Sequence, residues 1–142
     1  MNAGPGQSPK RAVAFGKAAL VVPGSAEENE QWVVRRSNLD GSQVVTACGE
    51  LDLSAEATLR RELLAAFADT DRPVTIDLSD VTFMDCSALG VLVSMSRRAH
   101  AQHNWIVLVS PNALVQRLLR LTGTTDLFGS PNTPPRGFFD AV

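Results

Sequence analysis

Val81-Thr82-Phe83-Met84-Asp85-Cys86-Ser87-Ala88-Leu89-Gly90-Val91-Leu92-Val93 is the stretch whose reading decides the fold. Its first four residues read as the end of a buried apolar strand. From Ser87 the spacing of Leu89, Leu92 and Met95 predicts an amphipathic helix to about residue 100. Asp85-Cys86-Ser87 sits at the joint. A helix N-terminus carries unpaired backbone N–H groups and a partial positive charge, so a carboxylate, a thiol and a hydroxyl there lie in a field that favours an anion. A strand running straight into a helix is also half of a crossover unit, which points to an α/β sheet.

Working back, Val74-Thr75-Ile76-Asp77-Leu78 alternates and is β-branched, a strand that Ser79-Asp80 is expected to end in a turn before Val81. Asp69-Thr70-Asp71-Arg72-Pro73 is a polar break. Before it, residues 53–68 read as a helix with Ser54 as N-cap. Leu59, Leu63 and Phe67 lie on the inward face, with Arg60, Arg61 and Glu62 opposite. Gly49-Glu50-Leu51-Asp52 leads into that helix. Two strand-like runs, Gln31-Trp32-Val33-Val34-Arg35-Arg36 and Gln43-Val44-Val45-Thr46-Ala47-Cys48, flank Asp40-Gly41, a hairpin signal. Residues 1–29, rich in Gly, Pro, Ala and Ser, are expected to be a flexible leader.

Working forward, Trp105-Ile106-Val107-Leu108-Val109 is an almost continuous apolar run, as expected of a strand in the sheet interior. Ser110-Pro111 fits an N-cap with proline at the first helical position. The helix through Arg120 presents Leu114, Leu118 and Leu121 as its apolar face until Gly123 stops it. Leu127 and Phe128 are expected to add a short edge strand. Residues 129–142 read as a loose tail from which Phe138 and Phe139 dock on the body. One domain over residues 30–128 follows, a small α/β sheet with helices packed mainly on one face.

Composition narrows the function classes. The 142 residues, 44% of them hydrophobic, suffice for one packed core, and 13 basic against 15 acidic residues leave a net charge of −2 without a basic cluster. No nucleic-acid footprint or polybasic membrane anchor is present. No apolar run approaches the roughly 20 residues that span a bilayer. Gly16 and Lys17 interrupt the only stretch that resembles a secretory signal, so the chain reads as cytoplasmic.

Chemistry-bearing patterns are few. Cys48 and Cys86 fit no Cys/His metal spacing, and no glycine-rich phosphate cradle occurs, so neither a metal nor another cofactor is expected. Cys86 has no arginine six residues on, where Leu92 stands. His100 and His103 fall at the far end of the following helix, too distant to act as its base. An enzyme is therefore not expected. Asp52 and Asp85 each follow an apolar strand and precede a helix, which would set both on one edge of the sheet.

With those residues in place, the chain resembles the STAS-domain anti-sigma factor antagonists of bacteria. The resemblance rests on three motifs in order: Gly49-Glu50-Leu51-Asp52, the stretch Val81 to Leu92, and Ser110-Pro111 with Val115-Gln116-Arg117-Leu118-Leu119-Arg120-Leu121-Thr122-Gly123. It implies a mixed sheet of four or five strands with several helices, and a monomer or weak dimer. The implied partner is an anti-sigma factor, usually a serine kinase of the histidine-kinase-like ATPase type, whose capture frees a sigma factor. The implied contact surface is Asp52, Asp85, Cys86, Ser87, Ala88, Leu89 and Gly90. Family members usually read Asp-Ser-Ser/Thr-Gly-Leu-Gly and are switched off by phosphorylation of the first hydroxyl residue. Here Cys86 holds that place, which leaves three readings: Ser87 accepts the phosphate, the protein cannot be switched this way, or oxidation of Cys86 and Cys48 replaces phosphate control. The alternative from another class is a structural STAS module of a larger signalling scaffold.

Overall fold

The computed structural model describes residues 31–138 and, as backbone, residues 20–21 and 27–28. In chain order the strands are β1 Leu20–Val21, β2 Glu27–Glu28, β3 Trp32–Leu39, β4 Ser42–Leu51, β5 Val74–Met84 and β6 Ile106–Val109. The helices are α1 Glu56–Ala68, α2 Cys86–Ala101 and α3 Ala113–Thr122, with 3-10 turns at Leu53–Ala55 and Thr125–Leu127.

Four of the six strands, in the order β3-β4-β5-β6, make the body of the sheet. β3 pairs antiparallel with β4, and β4-β5 and β5-β6 are parallel, so the sheet is mixed, as expected. β1 and β2 pair antiparallel with opposite ends of β3, which places two dipeptides of the expected leader along that sheet edge. The hairpin turn is the one Asp-Gly specifies. Asp40 and Gly41 both take positive φ, 53° and 83°, and the Asn38 side chain accepts from the Gly41 amide at 2.9 Å.

Buried apolar residues of strands and helices join in one cluster. Val34, Val45, Ile76 and Ile106 come from the sheet, Leu59 and Leu63 from α1, Leu92 and Met95 from α2, and Val115 and Leu119 from α3. The inward faces predicted for α1 and α2 are therefore the observed ones. A single α/β domain with all its helices contributing to one core follows.

Five local expectations are corrected. Ser79-Asp80 does not end a strand: β5 runs unbroken through it, with two register shifts against β4. The turn-forming pair makes a bulge, because Asp77 Oδ1 accepts from the Ser79 amide (2.9 Å) and hydroxyl (2.7 Å) inside the strand. β6 ends the sheet order instead of lying inside it, its outer side met by an isolated bridge from Val107 to Gly129. Asn112, not Ser110, caps α3 and accepts from the Val115 amide at 2.9 Å. Residues 125–127 form a 3-10 turn, not an edge strand. Finally, the face of α3 is turned: Val115 and Leu119 are buried, while Leu114 and Leu121 are 47% and 73% exposed.

Glu62, expected on the solvent side of α1, is buried. Its carboxylate faces Arg36 Nε at 3.4 Å and Arg61 Nε at 3.6 Å, and Arg36 also reaches Asp69 at 3.0 Å. Burial of a charge is tolerated here because opposite charges from β3 and from α1 itself accompany it. Phe138 docks as expected, packing edge-on to His100 and Trp105 with centroids 5.4 Å away in both cases; Phe139 lies outside the described residues. Gly123 ends α3 in the left-handed conformation at φ 68°.

Candidate functional site

Parallel pairing of β4 with β5 aligns Leu51 with Met84, so Asp52 and Asp85 leave adjacent strands at the same edge of the sheet. The backbone joins them as well: the Asp85 amide donates to the Leu51 carbonyl at 3.1 Å. Gly49 prepares this edge. Its φ of 93° and the backbone of Gln31 pressed against it exclude any side chain, while the next amide, of Glu50, donates to Gln31 at 2.8 Å.

The two aspartates do the same local work. Asp85 caps α2: its Oδ1 accepts from the amides of Ser87 and Ala88, both at 3.0 Å, and from the Ser87 hydroxyl at 2.6 Å. Asp52 caps the 3-10 turn before α1, accepting from the Ser54 amide at 3.0 Å and its hydroxyl at 2.6 Å. The expected cap, Ser54, is one place removed; its hydroxyl oxygen instead accepts from Trp32 Nε1 at 2.8 Å, tying the turn to β3. Burial works against ionisation of Asp85. Hydrogen bonds from the Ser87 hydroxyl and from the Ala88 and Ser87 amides outweigh it and hold the carboxyl below its ordinary range.

Cys86 is exposed at the first turn of α2, and Ser87 is half-buried. Ala88 and Leu89, placed by the sequence among the contact residues, are buried in the core and hold the turn in position. Gly90 is exposed, with nothing within 4 Å of the place a Cβ would take. Cys48 does not share this edge. It lies within β4 opposite Asp80 of β5, and from Asp80 to the strand end at Met84 is about 13 Å at the usual rise per residue. That separation rules out a disulfide between the two cysteines without backbone movement. Burial, and secondarily the Asp80 carboxylate, also push the Cys48 thiol up.

The sequence reading missed what surrounds the junction. Leu53 (67% exposed) and Phe83 (42%) place two apolar side chains in solvent on either side of Asp52 and Asp85 in sequence. Cys86 itself lines a groove of about 530 Å³, together with Leu89, Gly90, Val93 and Arg97 of α2, Thr122 at the end of α3 and Thr124 just after it. Its lining is mostly small or polar, so no apolar periodicity in the sequence marks it. Among the described residues no three His, Cys, Asp or Glu side chains gather as a metal site, and no helix is long and apolar enough to cross a membrane.

Comparison with known proteins places this geometry in a family. A family model described as "Mlab, STAS domain" matches residues 34–129, more than half of the chain. The crystal structure of an anti-sigma factor antagonist from Mycobacterium paratuberculosis is similar at 24% identity and a TM-score of 0.64, over 82% of this chain and 97% of that one. The Bacillus anti-sigma factor antagonist SpoIIAA, in its unphosphorylated form, is similar at 20% identity and a TM-score of 0.59, over 68% of this chain and 86% of that one. A murine anion transporter, Slc26a9, shares the fold at 20% identity and a TM-score of 0.55 over 72% of this chain, but over only 18% of its own. From the match over residues 34–129 and the mixed sheet with its capped strand-helix junction, the chain belongs to the STAS-domain family.

Proposed function

We propose that the chain is an anti-sigma factor antagonist: it captures an anti-sigma factor, a serine kinase of the histidine-kinase-like ATPase type, and so releases a sigma factor for transcription. The observation that carries this reading is the paired edge. Asp52 and Asp85 cap consecutive helical elements at the ends of two adjacent parallel strands, with Cys86, Ser87 and Gly90 beside them at the surface. Likeness to antagonists of solved structure supports it. The chain works by binding, not by turning over a substrate, and in the cytoplasm where its partners are.

Ser87 is the residue that takes phosphate at this turn, since Cys86 supplies no hydroxyl and SpoIIAA is known in a phosphorylated form. A phosphate adds about −1.5 to −2 charge. Placed on an oxygen now 2.6 Å from Asp85, it breaks that hydrogen bond, repels the carboxylate and adds bulk to a surface that fits the bare hydroxyl. The same 2.6 Å bond favours a second reading, an antagonist no kinase can switch, because the hydroxyl is engaged and half-buried.

Incubation with the kinase that the chain binds, ATP and magnesium, followed by mass spectrometry, separates the two. One phosphate on Ser87, absent in Ser87→Ala, supports switching, and an unmodified chain in a stable complex supports the unswitchable antagonist. Failure of the native chain and Asp85→Ala to differ in kinase binding overturns the surface itself. Gel filtration addresses the scaffold alternative, to which a very large self-assembly would point.

A further inference from the structure

We propose that a hollow between β6 and α3 is a binding site for a small amphiphilic carboxylate, a free molecule with one anionic head on a hydrocarbon body. The site shares no residue with the aspartate edge or the partner surface around it, and the inference goes beyond partner binding without resting on it.

The hollow measures about 360 Å³, within the range of small-molecule pockets. It arises from how the chain leaves α3. Gly123 stops the helix, the turn Thr125–Leu127 redirects the chain, and Gly129 reaches the outer side of β6, where its amide donates to the Ile106 carbonyl at 3.0 Å. Only glycine fits at that contact: a Cβ would stand 2.5 Å from the Thr133 carbonyl oxygen and 2.7 Å from the Trp105 ring. Leu108 and Phe128 line the hollow and are half-buried, so each packs on the core and keeps part of its surface toward solvent. Buried Leu119 and half-buried Pro111 complete the apolar lining. Hydrocarbon seated there takes the remaining apolar surface of Leu108 and Phe128 out of water.

Polar groups of the same lining select the head. Gln116 and Arg120 stand four residues apart, on one flank of α3. Gln116 Nε2 donates to the Pro111 carbonyl at 2.8 Å, which ties the helix to the loop before it. Arg120 is the single charged residue of the lining, and no carboxylate pairs with it among the described residues; Asp126, six residues on, is 3.7 Å from Arg136 instead. The Thr125 hydroxyl likewise makes no hydrogen bond to a described residue. The two oxygens of a carboxylate match the paired N–H groups of one guanidinium, whereas a phosphate would bring charge that one arginine does not balance. A free small molecule fits better than a protein. Rotation of about 100° per residue turns the exposed Leu114 and Leu121 to the side of α3 away from Gln116, so the apolar lining is not continued along the helix.

The full chain, isotope-labelled, is titrated with decanoate, decanol and decylamine below their micelle-forming concentrations, and backbone amide shifts are followed by NMR. The expected result is saturable shifts centred on Leu108, Gln116, Arg120 and Gly129, with decanoate binding roughly five-fold more tightly than decanol and decylamine binding more weakly still. Arg120→Gln is expected to abolish the preference for decanoate over decanol. Arg117→Gln, which removes the same charge from the same helix outside the hollow, keeps it. Both arginines are exposed, so the variants retain the fold, and their spectra check this. Equal affinity for decanoate and decanol, no saturable binding, shifts centred elsewhere, or an unchanged preference in Arg120→Gln overturns the proposal. So does binding at these residues of a short peptide ending in a leucine carboxylate when decanoate does not bind, which would make the occupant a protein terminus. Since no anti-sigma factor enters the titration, its outcome is independent of whether the kinase binds the aspartate edge.

Discussion

Asp85 gathers three hydrogen bonds on a single oxygen, two from the first turn of α2 and one from the Ser87 hydroxyl, and its stability role follows from that geometry. Replacing it by alanine leaves two helix amides uncapped and is expected to cost about 1–2 kcal/mol in urea denaturation, with the slope unchanged. The sign of its pH dependence is fixed by the lowered folded-state value. The unfolded chain binds the proton at the ordinary carboxylate range and the folded chain only below it. The contribution is therefore complete above that range and lost as pH falls through the folded value. Denaturation of the native chain and Asp85→Asn at neutral and acid pH is expected to show the smaller acid loss in the variant. A thiol count offers a second test: Cys86, exposed, reacts at once with a disulfide reagent, while Cys48, half-buried and pushed up by burial and Asp80, reacts on the slower timescale of opening.

At the scale of the element, the proposed partner surface would set function and stability in opposition at Gly90 of α2. Glycine within a helix costs up to about 1 kcal/mol relative to alanine, and open space surrounds its missing Cβ, so packing does not explain it. Gly90→Ala is expected to raise the stability of the chain by about 0.5–1 kcal/mol while weakening partner binding, because the added methyl enters the groove floor. Calorimetric unfolding and a binding titration on the same variant would show the two effects moving apart. α3 shows why its face was misread. Leu114, Leu118 and Leu121 are spaced as well for a core as Val115 and Leu119 are, and apolar periodicity marks a stripe without saying whether the chain itself or another molecule covers it.

The whole molecule is pinned by the charges between β3 and α1. Glu62 is 5% exposed, and Arg36 reaches both it and Asp69, so this buried cluster ties the hairpin to the first helix. Glu62→Ala, which leaves the Arg36 side chain with a lost counter-charge, is expected to cost about 2–4 kcal/mol in chemical denaturation. Asp69→Ala, at the exposed end of the same cluster, is expected to cost at most about 1 kcal/mol. The contrast between the two variants checks that burial, and not charge pairing alone, sets the effect.

What this sequence determined by itself is local and periodic. Asp40-Gly41 specified the hairpin turn, the spacing of Leu59 and Leu63 and of Leu89 and Leu92 specified the inward faces of two helices, and the order of elements led to a mixed α/β sheet. The alignment of Asp52 with Asp85 was also legible, since each ends a strand that a helical element follows. Tertiary structure alone decided the rest. Ser79-Asp80 became a bulge because β4 pairs across it, Glu62 was buried because Arg36 arrived from β3, and Leu114 and Leu121 of α3 faced outward because Val115 and Leu119 met the core first. Cys48 was set apart from Cys86 by strand register. Each of these depends on a partner distant in the chain, and a pattern read within one segment carries no information about which partner arrives.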